Sequence, residues 1–271
     1  MTAGVATTAR PRSRRRSGDR GRWWRFALML VITAVALLPI AAQVAIAARQ
    51  TARSGGLGAA LARILGDPKT LGWFGNSLAV SGSTVLVAVA IGLPAGYVLS
   101  RAKGRAVDVF ALLVFTLQSL PVILLVVPLY VVFVPLGLVD TLPGIAIVYV
   151  GLTASIATWT TTAAIDAVPV ALEEAAWLDG CSVGGGFLRV VLPNAVGGVL
   201  STAVLAFLFA WNEYLVAVTF LITDTGWTLG IGVISGRVAL LGLAVMIPPV
   251  VVFAVLHRFF RFGGMAGALR G

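Results

Sequence analysis

The feature that most constrains this chain is a series of apolar segments, each long enough to cross a lipid bilayer as a helix. A bilayer core of about 30 Å requires about 20 mostly apolar helical residues, because hydrocarbon offers the backbone no hydrogen-bond partners. The segments that meet this requirement are residues 23–48, 73–99, 109–134, 141–165, 196–222 and 238–260. The sequence therefore predicts an all-α integral membrane protein with six transmembrane helices.

Composition and charge agree with insertion into a membrane. The 271-residue chain is 59% hydrophobic and only 11% charged, which is more apolar than a soluble globule of this size. The net charge of +10 could indicate binding to nucleic acid, but eight arginines concentrate within residues 10–25. A basic flank beside a span is typical of membrane orientation. We therefore expect the lipid bilayer as a partner and no nucleic acid.

The two ends of the chain are predicted to be cytoplasmic. Residues 1–22 form a basic segment with almost nothing to bury, and we expect a disordered tail there. An even number of spans places residues 263–271, the C-terminal tail, on the same side. The basic residues of the first external loop oppose this orientation, but the arginines of the tail outweigh them: Arg49, Arg53, Arg63 and Lys69.

An acidic stretch, ALEEAAWLDGCSVGGGFLRVVLP at residues 171–193, interrupts the apolar pattern between the fourth and fifth spans. Pro169 suits the start of a helix, and Gly180 is placed to end it. We predict one short cytosolic helix whose alanines allow a partner protein to approach, followed by a flexible joint at glycines 184–186. The alternative is a re-entrant cap packed on its own bundle. One face of the helix contains Leu172, Ala175, Ala176 and Asp179.

This stretch resembles the cytoplasmic loop of the inner-membrane permease subunits of ATP-binding-cassette (ABC) importers. Their pattern is E-A-A, three residues, G, nine residues and I-x-L-P. Here Glu174-Ala175-Ala176 is followed at the same spacing by Gly180 and then by residues 190–193, with Val190 in place of the usual Ile. Further stretches resemble the carbohydrate importers of the maltose-permease type: NSLAVSGSTVLVAVAIGLPAGYVLSR from Asn76, PLGLVDTLPGIAIVY from Pro135, WNEYLVA from Trp211 and the ending GGMAGALRG.

The resemblance implies a type I ABC importer permease fold, with the core at residues 73–262 and a coupling helix between spans four and five. It also implies a division of labour in the bacterial inner membrane. The partners would be two ABC subunits that bind ATP and Mg²⁺, a second homologous permease and an external solute-binding protein. The chain has no G-x-x-x-x-G-K-[ST] phosphate loop, so we expect a non-catalytic subunit without a cofactor of its own.

The resemblance also implies which residues meet the ATPase. In the family the E-A-A helix docks in a groove of that subunit, so Glu174 and Asp179 would supply charged contacts and Gly180 the turn. The full predicted coupling interface is Glu173, Glu174, Ala175, Ala176, Asp179, Gly180, Leu192 and Pro193.

A second candidate site surrounds Glu213, the only charge deep within a predicted span. A carboxylate in hydrocarbon costs about 2.5–3.5 kcal/mol on insertion scales, so it should face water, the bundle interior or a hydrogen-bond donor. One hypothesis is that Glu213 lines the solute pathway with Trp211, Asn212 and Tyr214, the indole ring stacking on a sugar. The other is a structural bond to the partner permease or to another span.

Other functional classes have weaker support. An ion-coupled secondary transporter is the main alternative, but it would usually show an internal repeat or several buried charges. A membrane-bound enzyme would require a catalytic constellation, and the single His257 fits interfacial anchoring instead. The lone Cys181 and the lack of a Cys/His cluster argue against a metal site. Near the end of the fourth span, hydroxyls are expected to bond their own helix backbone: Thr158, Thr160, Thr161 and Thr162.

Overall fold

The computed structural model describes residues 19–53, 55–234 and 239–260, and within these ranges the regular elements are helical. The first half contains α1 (Asp19–Arg53), α2 (Leu57–Gly66), α3 (Pro68–Arg101), α4 (Arg105–Ser119), α5 (Val122–Phe133) and α6 (Leu142–Asp166). The second half contains α7 (Val170–Leu178), α8 (Val183–Gly186), a π-helix (Phe187–Val191), α9 (Leu192–Asn212), α10 (Leu215–Phe220), a 3-10 turn (Asp224–Gly226), α11 (Leu229–Ile234), α12 (Ala239–Ala244) and α13 (Ile247–Phe260).

The chain divides into two compact units, residues 1–46 and 47–271. Within the first unit, α1 begins at Asp19, so the helix extends into the predicted basic tail of residues 1–22. The rest of that tail and the predicted C-terminal tail at 263–271 lie outside the described residues. The apolar side chains of residues 23–46 are mostly exposed, which is typical of a helix surrounded by lipid.

Four helical segments of the described chain are long and apolar enough to cross a membrane: Trp23–Arg53, Pro68–Arg101, Leu142–Asp166 and Val183–Asn212. The predicted third span, residues 109–134, is not one continuous helix. It is divided into α4 and α5, whose axes are bent by 97°. Pro121 lies at this break, where it cannot donate a backbone hydrogen bond to a continuing helix. The bent pair counts as a fifth span if it is taken as one.

Two further predicted spans are also interrupted. Residues 196–222 are divided at Glu213, where α9 ends and α10 follows after Tyr214. Residues 238–260 are divided between α12 and α13, and the apolar helical stretch there, Leu240–Leu256, is shorter than the four long segments. The count of six spans therefore stays a prediction, while the all-helical architecture with several apolar spans is confirmed.

The centre of the second unit is the packing of α3 against α6, with α9 contacting both. Two glycines of α3 allow the close approach. A Cβ atom on Gly92 would lie 2.9 Å from the Ala157 Cβ, and one on Gly96 would lie 2.8 Å from the Thr162 nitrogen. Small residues stabilise helix pairs in lipid because they allow backbones to come close. The glycines therefore hold α3 and α6 together as a tight pair.

The threonines near the end of α6 bond their own helix, as predicted. The hydroxyls of Thr158, Thr160 and Thr162 donate to backbone carbonyls four residues earlier, at 2.7–2.8 Å. The Thr161 hydroxyl lies 2.7 Å from the Ala157 carbonyl of its own helix and 2.7 Å from the Gly92 carbonyl of α3, so the two acceptors share its single proton. These hydroxyls are satisfied by the backbone, and Thr161 is the one of the four that links α6 to α3.

Candidate functional site

The acidic loop folds as the predicted short helix, α7. It begins after Pro169 and ends with a Schellman motif, in which the Gly180 amide donates to the Trp177 carbonyl (3.0 Å) and the Cys181 amide to the Ala176 carbonyl (2.9 Å). Gly180 has φ +87°, a left-handed conformation that glycine adopts without a steric penalty. The prediction that Gly180 ends the helix is therefore confirmed.

The two adjacent glutamates of α7 point in different directions. Glu174 is exposed, whereas Glu173 is fully buried within the chain. The Glu173 carboxylate accepts hydrogen bonds from Arg101 Nε at 2.5 Å and from the Tyr97 hydroxyl at 2.9 Å, both on α3. A buried carboxylate requires such partners, because desolvation of an unpaired charge is costly. Glu173 was predicted to meet the ATPase, but its side chain is held inside the bundle.

Arg101 connects three helical elements at this end of the bundle. While its Nε bonds Glu173 on α7, its Nη2 donates to the Ile165 carbonyl (3.1 Å) and the Val168 carbonyl (2.8 Å) at the end of α6. Its Nη1 donates to the Ser100 hydroxyl at 2.8 Å. The planar guanidinium carries five N–H donors in a fixed fork, which suits this arrangement of acceptors. The cluster of Tyr97, Arg101 and Glu173 is called the Arg101 anchor below.

The remaining predicted coupling residues of α7 face outward. Glu174, Ala175, Asp179 and Gly180 are exposed, and Ala176 is half-buried. Apolar side chains border them, and Leu178 is 89% exposed. We call six residues of α7 and its C-terminal cap the outer face of α7: Glu174, Ala175, Ala176, Leu178, Asp179 and Gly180. Leu172 and Trp177 are also exposed, and a group of exposed apolar side chains rimmed by polar residues is typical of a protein contact surface.

Leu192 and Pro193 lie further along the chain, in the first turn of α9. Leu192 is half-buried and Pro193 is exposed. Between α7 and α9, glycines 184–186 were predicted to form a flexible joint, but they belong to the helical turn α8, capped by the Ser182 hydroxyl. The π-helix then continues directly into α9. The joint is therefore helical, since Ser182 supplies the cap that three glycines alone would lack.

Arg101 and Tyr97 were not among the residues predicted to form the site. They lie 72 and 76 residues before Glu173, so no local pattern connects them to the acidic loop. The available signal was the position of Arg101 at the end of an apolar helix. A long cationic side chain at such a position usually extends into water, so the position alone does not indicate a buried partner.

At Glu213 the chain breaks between α9 and α10, and the side chain closes the break. The Glu213 carboxylate accepts hydrogen bonds from the Val216 amide at 3.0 Å and the Ala217 amide at 3.3 Å, which are unpaired donors in the first turn of α10. The Tyr149 hydroxyl of α6 lies 2.9 Å from the same carboxylate. These contacts support the hypothesis of a structural bond to another span.

The neighbours of Glu213 differ in their accessibility. Trp211 is 6% exposed, its ring stacks on Phe207, and its Nε1 donates to the Val245 carbonyl at 3.0 Å. In this conformation the indole face is not available to a sugar. Asn212 is exposed, with its Nδ2 donating to the Leu208 carbonyl, and Tyr214 is half-buried. Of the four predicted pathway residues, Asn212 is the one that is exposed rather than half-buried or buried.

Asp140 lies just before the start of α6 and binds the segment that follows α10. Its carboxylate accepts hydrogen bonds from the Ile222 amide (2.8 Å), the Thr223 amide (2.9 Å) and the Thr223 hydroxyl. The Thr223 hydroxyl and then the Thr223 amide lower the pKa of Asp140 below its ordinary value, because both stabilise the ionised form. An ion pair between Lys69 and Asp224 connects the same segment to the start of α3.

In the ranges 19–53, 55–234 and 239–260, no group of three or more His, Cys, Asp or Glu side chains could hold a metal ion. Cys181 is a half-buried free thiol at the end of α7.

Comparison with known proteins identifies the class. Residues 88–262 match the model of the binding-protein-dependent transport system inner membrane component family. The permease protein YcjP of Escherichia coli is 33% identical over 208 residues, covering 73% of this chain and 74% of that protein. The trehalose transport system permease SugB of Mycobacterium tuberculosis is 30% identical over 209 residues, covering 72% and 76%. The trehalose/maltose permease MalG of Thermococcus litoralis is 28% identical over 222 residues, covering 77% and 80%.

A solved structure has the same fold. A chain of a bacterial ABC transporter involved in import of the acidic polysaccharide alginate superposes with a TM-score of 0.71 at 22% identity, covering 94% of this chain and 100% of that one. The matched residues include α6, α7 and α9, which carry both candidate sites. The chain therefore belongs to the family of binding-protein-dependent transport system inner membrane components, the multi-pass permease subunits of ABC transporters.

Proposed function

We propose that this chain is a permease subunit of an ATP-driven carbohydrate importer and forms half of its translocation pathway, with a second homologous permease forming the other half. Two separate ABC subunits bind ATP and Mg²⁺ and supply the energy, and an external solute-binding protein delivers the solute. The family match supports the importer class. The names of its relatives, which specify trehalose, trehalose/maltose and arabinooligosaccharides, support carbohydrate as the solute.

The coupling role is supported by one observation, that Glu173 is buried while the adjacent Glu174 is exposed. Glu173 fastens α7 to the bundle, and this leaves Glu174 exposed beside Ala175 on the outer face of α7. A helix of nine residues is marginal by itself, so an anchor is needed before it can present a defined surface. We propose that this surface docks on the ATPase at the cytoplasmic side of the membrane.

The outer face of α7 suits a partner that offers cations around an apolar groove. Glu174 and Asp179 would each contribute about 1.5–3 kcal/mol through charge-assisted hydrogen bonds if they are desolvated. Leu178 would lose its exposed apolar surface to the groove, which adds a hydrophobic contribution. Leu192 and Pro193 at the start of α9 would complete the interface.

Site-directed crosslinking tests this docking. Cys181 is the single cysteine, so Cys181→Ser provides a cysteine-free background. In that background Ala175→Cys should form an adduct with the ATPase, whereas Ile222→Cys, an exposed position near Asp140, should not. An adduct from position 222 but not from position 175 would contradict the proposal.

A reconstitution experiment separates the importer from the ion-coupled alternative. The purified permease pair should import solute only when the ATPase pair, ATP and the solute-binding protein are present. Import that proceeds without the ATPase and responds to an imposed proton or sodium gradient would instead favour a secondary transporter.

We also propose that the helix break at residues 212–214 lines the solute pathway beside Trp211. The exposed Asn212 amide would contact solute hydroxyls, while Glu213 holds the break in shape. Asn212→Ala should raise the half-saturating solute concentration without reducing assembly. Asn194→Ala is a matched control, because both asparagines are exposed and both donate to the carbonyl four residues earlier at 2.7 Å. An equal effect of the two variants would exclude a direct solute contact.

A further inference from the structure

We propose that Arg101, which lies outside the acidic loop, is a positioning residue that transmits the displacement of α7 to α3 and α6. This inference rests on the proposed docking of an ATPase on the outer face of α7. It assigns a specific mechanical connection between that surface and the spans. The connection is the Arg101 anchor, formed by Tyr97, Arg101 and Glu173.

The first step is that α7 has a single buried residue. Among its nine residues, only Glu173 is buried, and the others are half-buried or exposed. Besides α8 and the π-helix, which α7 contacts on its way to α9, Glu173 gives force applied to the outer face a side-chain route to α3. Both of the carboxylate's hydrogen-bond donors, Arg101 and Tyr97, belong to α3.

The second step is that the rigid guanidinium of Arg101 binds acceptors both on α7 and at the end of α6. Its side chain is 13% exposed and its guanidinium bonds the Glu173 carboxylate and the carbonyls of Ile165 and Val168 at once. These carbonyls lie where α6 ends and the connection to α7 begins. A displacement of Glu173 therefore pulls on α3 through the arginine backbone and on α6 through the two carbonyls.

The third step is that the connected spans are themselves closely packed. A Cβ atom on Gly92 would lie 2.9 Å from that of Ala157, and the Thr161 hydroxyl bonds the Gly92 carbonyl. Packed interfaces of this kind move as units rather than deforming continuously. Arg101 thus makes α7, the end of α6 and the end of α3 one mechanical body.

Substitutions of graded severity in the complete importer test the inference. Lysine keeps the positive charge but has no planar fork, whereas glutamine loses the charge as well. In liposomes containing both permeases, the ATPase pair and the binding protein, Arg101→Gln should reduce the solute imported per ATP hydrolysed by about tenfold, the scale of typical coupling between sites. Arg101→Lys should give an intermediate ratio, and both complexes should still contain the ATPase.

The matched control is Arg105→Gln, which removes the same charge from an exposed position four residues away. It should leave the ratio of import to ATP hydrolysis unchanged. An unchanged ratio for both Arg101 variants would overturn the inference, as would failure of the Arg101→Lys chain to assemble. Failure of the proposed docking has a different signature, the absence of an ATPase adduct at Ala175→Cys in the chain with Arg101 intact.

Discussion

The Tyr149 hydroxyl lies 2.9 Å from Glu213 Oε2 and 3.1 Å from the Glu213 carbonyl oxygen, and so joins the middle of α6 to the break after α9. Tyr149 is 1% exposed, so the contact is shielded from solvent. The same carboxylate caps the first turn of α10. A charge that the sequence places in the membrane is thereby stabilised by hydrogen bonds within the chain.

Replacing Tyr149 by Phe should destabilise the protein by about 1–3 kcal/mol, because it removes a buried hydroxyl donor from the half-buried Glu213 carboxylate. Thermal unfolding of the purified chain in detergent measures the effect. Tyr130→Phe is the control, since its ring packs on Phe220 at 5.6 Å and no hydrogen bond to its hydroxyl is observed in the described chain. Equal losses from both substitutions would indicate that ring packing, not the hydrogen bond, is responsible.

Replacing Glu213 by Ala should reduce the amount of assembled complex, because it removes the oxygens that accept hydrogen bonds from the α10 backbone and from the Tyr149 hydroxyl. Uptake should fall only in proportion to assembly. Assembly is measured by copurification with the partner subunits, and uptake by accumulation of labelled solute. Lost uptake with full assembly would instead support direct contact between Glu213 and solute.

The Asp140 contacts predict a dependence of stability on acid pH. The pKa of Asp140 is lowered in the folded chain, first by the Thr223 hydroxyl and then by the Thr223 amide. The ionised carboxylate therefore stabilises the fold above the ordinary value of 3.8, and this contribution is lost as the pH falls through the lower folded pKa. Thermal scans between roughly pH 5 and pH 3 should show a weaker pH dependence for Asp140→Asn than for the wild type.

The control for this titration is Asp108→Asn, at an exposed aspartate in the first turn of α4. It should retain the acid dependence of the wild type, because the contacts with Thr223 are intact. An identical change in both variants would mean that net charge, rather than the Asp140 hydrogen bonds, determines the acid response.

The contact between α3 and α6 predicts opposite outcomes for two glycines of the same helix. Gly96→Ala should cost about 1–3 kcal/mol, because the new Cβ would lie 2.8 Å from the Thr162 nitrogen. Gly82→Ala should be neutral or stabilise by up to about 1 kcal/mol, since nothing lies within 4 Å of its Cβ position and alanine favours the helix. Unfolding measurements on the two variants compare these effects directly. A loss of equal size at Gly82 would contradict the packing argument.

Several features of the fold and of the acidic loop could be predicted from the sequence because they depend on nearby residues. The short helix after Pro169 and its end at Gly180 follow from local backbone preferences. The hydroxyl bonds of Thr158 and its neighbours follow from the geometry of one helix turn. The opposite directions of Glu173 and Glu174 could not be predicted, because the partner of the buried glutamate lies on another helix.

For the breaks in the spans, too, part of the structure follows from the local sequence and part depends on distant residues. Residues 109–134 were predicted as one span, but Pro121 interrupts the helix and the bend of 97° between α4 and α5 depends on the packing of each half. Glu213 was recognised as a charge that needs a partner, yet nothing local identified Tyr149, 64 residues earlier. Hydrophobicity defines how much chain can enter a bilayer, but it does not define where that chain turns within the bundle.

The sequence by itself determined that this protein is helical, apolar and interrupted by one acidic loop with a helix of its own, because segment length, composition and capping residues act over a few turns. Only the tertiary structure decided that Glu173 faces Arg101 and that Glu213 closes a break against Tyr149. The physical reason is that a buried charge is stabilised by whichever donors the packed helices bring within hydrogen-bond distance, and those donors come from distant parts of the chain.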